Sequence, residues 1–158
     1  MAGPHPFDLV PSKMRALAWR WFEEVWMRGN EAAIHEIIAP HCRIYGVTTE
    51  VLVGPEGFLP FWRQGRVNYR DIEIEIDECL VDGNRVAVFV TARSLHLHSF
   101  NQVEMSGCAT FEVEGGQCIE SHHVFDYLSI LGRCGAVEDL DAHLALFPLS
   151  GEASNDLS

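Results

Sequence analysis

Apolar residues recur at helical spacing in the first third of the chain and switch to strict alternation after it. Met14, Leu17, Ala18, Trp21 and Val25 follow i, i+3, i+4 and i+7 steps, so they line one side of a helix that Ser12 is placed to cap. Gly29 and Asn30 end that helix. Asn30 can cap a second one, with Ile34, Ile37 and Ile38 on its apolar side and Pro40 as its stop. Residues 41–53 read as a short extended segment and a loop. Gly54 and Pro55 then open a third helix, with proline at the first helical position, Phe58, Phe61 and Trp62 as its apolar side, and Gly65 as its stop.

From Asp71 the period is two. Ile72, Ile74 and Ile76 face a core while Glu73 and Glu75 face water. Asp82 and Gly83 signal a tight turn into a long strand from Arg85 to about His98. A further strand over about 105–113 ends at Gly115 and Gly116, a second hairpin turn into a strand that closes at Asp126. Residues 137–146 read as a short terminal helix. Helices first and hairpin-joined strands afterwards predict an α+β fold, an antiparallel sheet with helices on one face. If the sheet curves strongly it makes a cone whose mouth is a natural small-molecule pocket. The expected organisation is an arm over 1–11, one domain over 12–148 and a disordered polar tail over 149–158.

The chain has 158 residues and a net charge of −12, from 23 acidic against 11 basic residues. Nucleic acid and anionic membrane both select a basic footprint, so neither is an expected partner. Five cysteines, an odd number with no C-x-x-C spacing, read as reduced thiols. The first eleven residues contain no long apolar run, which predicts neither an export signal nor a membrane span. The expectation is a cytoplasmic protein.

On period-two alternation Cys118, Glu120, His122, Val124 and Asp126 share one face of the last strand. On the long strand Val86, Val88, Val90, Ala92, Ser94, His96 and His98 share one face. If these strands lie close together, imidazole and carboxylate can meet, and such a pair in an apolar pocket can move a proton to and from carbon. Asp126 is equally suited to N-cap the segment after it. His96, His98, Glu120 and His122 are also ligand types that Zn, Fe or Ni prefer, so a metal site competes. No serine sits in a G-x-S-x-G turn, and no glycine-rich loop follows a strand and opens a helix.

The run from Trp21 to Val137 resembles the SnoaL-like polyketide cyclases, within the wider NTF2-like (nuclear transport factor 2) cone fold. The resemblance rests on Trp26 to Asn30 closing the first helix, Gly54 to Phe58 opening the third, and Val81 to Val88 around the hairpin. It continues with Thr91 to His96, Gly115 to Glu120, Val124 to Asp126, and Leu128, Leu131 and Gly132. It implies a homodimer packed sheet to sheet and a cofactor-independent acid/base enzyme: a cyclase, isomerase or lyase acting on a small apolar carbonyl or polyketide-like compound. By the same resemblance Asp126 is the acid/base residue and His96 its partner. Tyr45, His122, Trp62, Phe58 and His98 are the expected pocket residues, with Phe89 as additional apolar wall and core packing as the competing role of Phe58, Trp62 and Phe89. Two departures reshape the pocket. The family's usual Gly-Thr-His-x-Gly is replaced by Ser94, Leu95, His96, Leu97 and His98, and a tryptophan common near the final strand is replaced by His122. The alternative reading is a non-catalytic module of the same fold that holds a small ligand or dimerises.

Overall fold

The computed structural model describes residues 13–136. The expected arm over 1–11, the Ser12 cap, the helix over 137–146 and the tail over 149–158 lie outside the described residues. Helix α1 (Lys13–Arg20) continues directly into a π-helical segment, Trp21–Met27, followed by α2 (Glu31–Ile37). Then come β1 (Ile38–Tyr45), β2 (Leu52–Val53), α3 (Gly54–Asn68), β3 (Tyr69–Asp82), β4 (Arg85–His96), β5 (Asn101–Glu114), β6 (Gln117–Phe125) and α4 (Tyr127–Arg133). The six strands form one sheet in the order β2-β1-β6-β5-β4-β3, parallel between β1 and β6 and antiparallel elsewhere. The sheet is curved and unclosed, the NTF2-like α+β cone that the strand pattern and the resemblance imply. Among the described residues no helix is long and apolar enough to cross a membrane.

The helices occupy one side of the sheet because both surfaces there are apolar. Val86, Val88 and Val90 of β4 and Ala109, Phe111 and Val113 of β5 are buried under Trp21, Phe22 and Phe58. Trp21 and Phe22 are sequence neighbours, yet both pack against Phe111, at ring centroid distances of 6.2 and 6.3 Å. The wider π-helical turn helps, since it narrows the angle between adjacent side chains below the about 100° of an α-helix.

Two helix ends and one strand register differ from expectation, each for a physical reason. Asn30 caps α2 as predicted, accepting from the Ala32 N–H at 3.2 Å. The helix nevertheless ends before Ile38, and Pro40 lies within β1. Proline is tolerated there because the pairing of β1 with β6 is irregular between Ile38 and Arg43, so the missing N–H is not required by a regular ladder. Gly65 does not stop α3, which runs on to Asn68. A Cβ at position 65 would stand 3.2 Å from Cζ3 of Trp26, so this glycine makes room for an indole.

The third difference decides the site. β5 and β6 change register between Glu112 and Val113: Val113 pairs with Cys118 and Glu112 with Glu120. Ile119 is therefore an extra residue on β6, a β-bulge that inverts the alternation beyond it. Cys118, Ser121 and His123 point into the core, while His122 and Val124 point outward. Of the predicted common face, Glu120, His122 and Val124 stay together on the outer side, and Cys118 falls to the core.

β4 pairs with β5 without interruption from Arg85 to His96, and its predicted inward set holds as far as His96. Inward side chains pass from buried (Val86, Val88, Val90) to half-buried (Ala92, Ser94, His96), so the cone opens toward His96. Helix α4 approaches β5 at this end, with the Asn101 side-chain amide donating to the Arg133 carbonyl at 2.7 Å.

Candidate active site

His96 stands at the open end of the cone. The chain leaves β4 immediately after it in a turn over 97–100, where the Phe100 N–H donates to the His96 carbonyl at 2.9 Å. That turn carries Ser99 back onto the imidazole, its hydroxyl 2.8 Å from Nδ1 and its backbone N–H donating to the same nitrogen at 3.3 Å. A backbone N–H can only donate, so Nδ1 is the acceptor, and the neutral ring carries its proton on Nε2. The result is a hydrogen-bond donor fixed by its own loop. The Tyr69 ring lies 5.2 Å from that of His96. Burial, reinforced by the Cys134 thiol, raises the Tyr69 pKa and keeps the phenol protonated at neutral pH. His98 belongs to the turn and is exposed, 6.3 Å from His96 between ring centroids. The expectation that both histidines share a strand face fails, because the strand ends first.

Asp126 lies at the junction of β6 and α4 and is exposed. It N-caps α4: its carboxylate accepts from the Ser129 N–H at 3.1 Å and from the Ser129 hydroxyl. The Asp126 N–H donates to the Ser106 carbonyl on β5, whereas His96 is the cross-strand partner of Asn101. From Asn101 to Ser106 is about 16 Å along an extended strand, so His96 and Asp126 do not form a hydrogen-bonded pair. Between them the inner surface is apolar, with Ala92 from β4 and Val103 and Met105 from β5, interrupted by Ser94.

The other expected pocket residues lie elsewhere. Phe58 and Trp62 are core residues: Phe58 packs 5.0 Å from Trp21 between ring centroids, and the Trp62 indole N–H donates to the Val25 carbonyl at 3.0 Å. Phe89 is on the outer face of the sheet and 45% exposed. Tyr45 and His122 stack against each other on that same outer face, and Glu120 Oε1 lies 3.0 Å from His122 Nε2. His122 borders a shallow groove of about 280 Å³ whose wall includes Leu80, Ala87, Thr110 and Glu120. The bulge at Ile119 explains why the groove residues and the cone residues separate onto two faces. It also breaks up the possible metal set: His122 and Glu120 are outside, His96 inside and His98 in the turn. Among the described residues no group of three or more His, Cys, Asp or Glu side chains could hold a metal ion.

The imidazole that does enter the cone from β6 is His123, which simple alternation assigns to the wrong side. It is buried, 5.8 Å from Phe111, 6.1 Å from Phe125 and 6.4 Å from Trp21 between ring centroids. Its Nε2 lies 3.2 Å from the Ser121 hydroxyl. Burial, with a small contribution from His122, lowers its pKa to about 4, so it is neutral at physiological pH. The His122-His123 dipeptide is the sequence signal for it, since one of two adjacent strand residues must face inward.

The sequence model of the SnoaL-like polyketide cyclases matches residues 16–132. No curated protein matches the chain. Solved structures with the same fold include TsrD from Streptomyces laurentii, 17% identical with a TM-score of 0.71, covering 82% of this chain and 99% of its own. A provisionally assigned SnoaL-like polyketide cyclase from Jannaschia sp. CCS1 is 19% identical with a TM-score of 0.71, covering 87% of this chain and 99% of its own. IdmH, a provisionally assigned polyketide cyclase from Streptomyces antibioticus, is 21% identical with a TM-score of 0.68, covering 78% and 99%.

Proposed function

The chain belongs to the SnoaL-like polyketide cyclase family, and on that premise we propose that it is a cofactor-independent acid/base enzyme. Its substrate would be an apolar, polyketide-like compound with more than one carbonyl group, and the reaction a cyclisation or a related isomerase or lyase step. The observation that carries this reading is the fixed Nε2–H of His96 at the open end of an apolar trough. A donor of that kind recognises a carbonyl oxygen, and apolar walls around it strengthen the hydrogen bond.

Asp126, exposed at the junction of β6 and α4, is proposed as the base. It would take an acidic α-proton, and the carbanion would attack a carbonyl carbon of the same molecule. With their backbone positions about 16 Å apart along the strand, the two groups are proposed to act on different parts of one molecule. His96 would therefore hold a carbonyl remote from the proton that Asp126 removes, orienting an extended substrate. Tyr69, kept protonated beside His96, is placed to donate to the same end of the molecule.

Turnover of an aryl poly-β-ketoester tests these roles. Asp126→Asn should lower kcat by at least about 100-fold, the usual scale of acid/base catalysis, with the fold retained. His96→Phe should act mainly on KM. Wild-type-like turnover in both variants would overturn the reading.

The outer face favours a second, compatible proposal. Leu80 is 68% exposed and Val124 73%, in cross-strand rows beside Phe89 and Cys108. An apolar sheet surface of this kind suits a second copy of the chain, packed sheet to sheet. A non-catalytic module that dimerises through this face is the alternative function, favoured by the close aromatic packing around His123.

A further inference from the structure

Cys42 on β1 and Cys118 on β6 are both buried, with their sulfur atoms 3.7 Å apart. We propose that this pair is a redox site, closing to a disulfide that staples the two parallel strands. The inference is independent of the catalytic reading above.

The contact arises from two irregularities meeting. β1 pairs irregularly with β6 between Ile38 and Arg43, and β6 carries its extra residue at Ile119, next to Cys118. Together they turn both side chains inward at the same level. A disulfide bond is about 2.05 Å long, so the sulfurs need to approach by about 1.6 Å. An irregular stretch of backbone absorbs such a shift more readily than a regular ladder, because fewer hydrogen bonds constrain it. Cys79, Cys108 and Cys134 lie on β3, on β5 and just after α4.

The chemistry balances with a small neutral two-electron oxidant such as hydrogen peroxide. One thiol, as its thiolate, attacks a peroxide oxygen and becomes a sulfenic acid, with release of water once the hydroxide is protonated. The second thiol then attacks that sulfur and expels a second water. Two thiols and one peroxide give one disulfide and two waters. Contact with the Cys42 thiol and burial both raise the Cys118 pKa, so the first step is slow. The second step has its partner already in contact. β1 ends at Tyr45 and β6 ends one residue before Asp126, so the closed staple would fix the relative position of two strands that lead to the rim.

Peroxide treatment of the full chain, alkylation of remaining thiols after denaturation and non-reducing peptide mass mapping test this. Trypsin combined with a glutamate-specific protease separates Cys108 from Cys118, because Glu112 and Glu114 lie between them. The expected result is a Cys42–Cys118 linked peptide, lighter by two hydrogens than the two free peptides and released by dithiothreitol. Thermal unfolding of the oxidised protein should move up by roughly 5 °C or more, as a cross-link over a loop of this length implies, and Cys42→Ala should abolish the shift. The proposal is overturned if Cys42 and Cys118 are both recovered as alkylated thiols while the other three cysteines are oxidised. It is equally overturned if both reach sulfinic acid without a link. Wild-type mapping decides even if Cys42→Ala does not fold.

Discussion

Tyr45 and His122 stack face to face on the side of the sheet turned away from the helices, with ring centroids 4.5 Å and planes 5° apart. Arg43 lies over the Tyr45 ring at 5.6 Å, extending the stack along the edge of the exposed apolar rows. A polar margin beside an apolar centre is the usual anatomy of a protein interface. Light scattering on the purified chain is therefore expected to give the mass of a dimer. Leu80→Glu or Val124→Glu should weaken association at least about tenfold, roughly 1.4 kcal/mol. A wild-type monomer, or a dimer indifferent to both substitutions, would remove the outer face as the interface.

His123 makes the fold sensitive to acid. Its folded pKa is about 4, and the unfolded chain titrates near the ordinary 6.5. Between those values the unfolded state binds the extra proton, so stability rises with pH across that window and is complete above it. Lowering the pH from 7 to 4 should cost about 3 kcal/mol from this residue alone. Urea unfolding at a series of pH values should show that loss in the wild type and a smaller one in His123→Phe. Parallel curves for the two proteins would refute the assignment.

At Gly107, β5 lies close against β6. A Cβ there would meet Cδ1 of Phe125 at 2.2 Å and the Val124 carbonyl oxygen at 2.4 Å, and backbone cannot move aside as a side-chain tip can. Gly107→Ala should destabilise the fold by about 2–3 kcal/mol, as overpacking commonly does. Chemical denaturation measures it, and a change below about 0.5 kcal/mol, the level of an ordinary surface substitution, would show that the strands spread without strain.

The Ser99 loop should control the His96 tautomer. Nitrogen-15 spectra of the side chains are expected to show His96 protonated at Nε2. Ser99→Ala removes the hydroxyl partner of Nδ1 but keeps the backbone N–H, so the tautomer should persist with a weaker preference. An Nδ1-protonated ring in the wild type would contradict the hydrogen-bond assignment and the donor role built on it.

The elements were largely legible because apolar spacing follows burial directly. Met14 to Val25 lie on a helix, Ile72 to Ile76 on an alternating strand, and Asn30 caps where its side chain implies. The site was less legible because period-two counting presumes an uninterrupted strand. One extra residue at Ile119 exchanges His122 for His123 as the inward imidazole, and the adjacent pair of histidines is the sole local hint of it. Pro40 and Gly65 misled for a related reason. Both read as helix stops by local propensity, but an irregular ladder accommodates the first and the Trp26 ring requires the second. Asp126 fits its capping role on sequence and in the structure, whereas its separation from His96 depends on long-range register that spacing alone does not determine.

The central claim is that substrate enters the open end of the cone and meets His96. Imidazole proton and nitrogen NMR during titration with an aryl 1,3-dicarbonyl compound tests it most directly. The account predicts that the His96 Nε2–H resonance shifts downfield while His122 is unaffected, and that His96→Phe weakens binding where His122→Phe does not. Perturbation confined to His122 and Tyr45, with His96 silent, would move the ligand site to the outer groove and contradict the account.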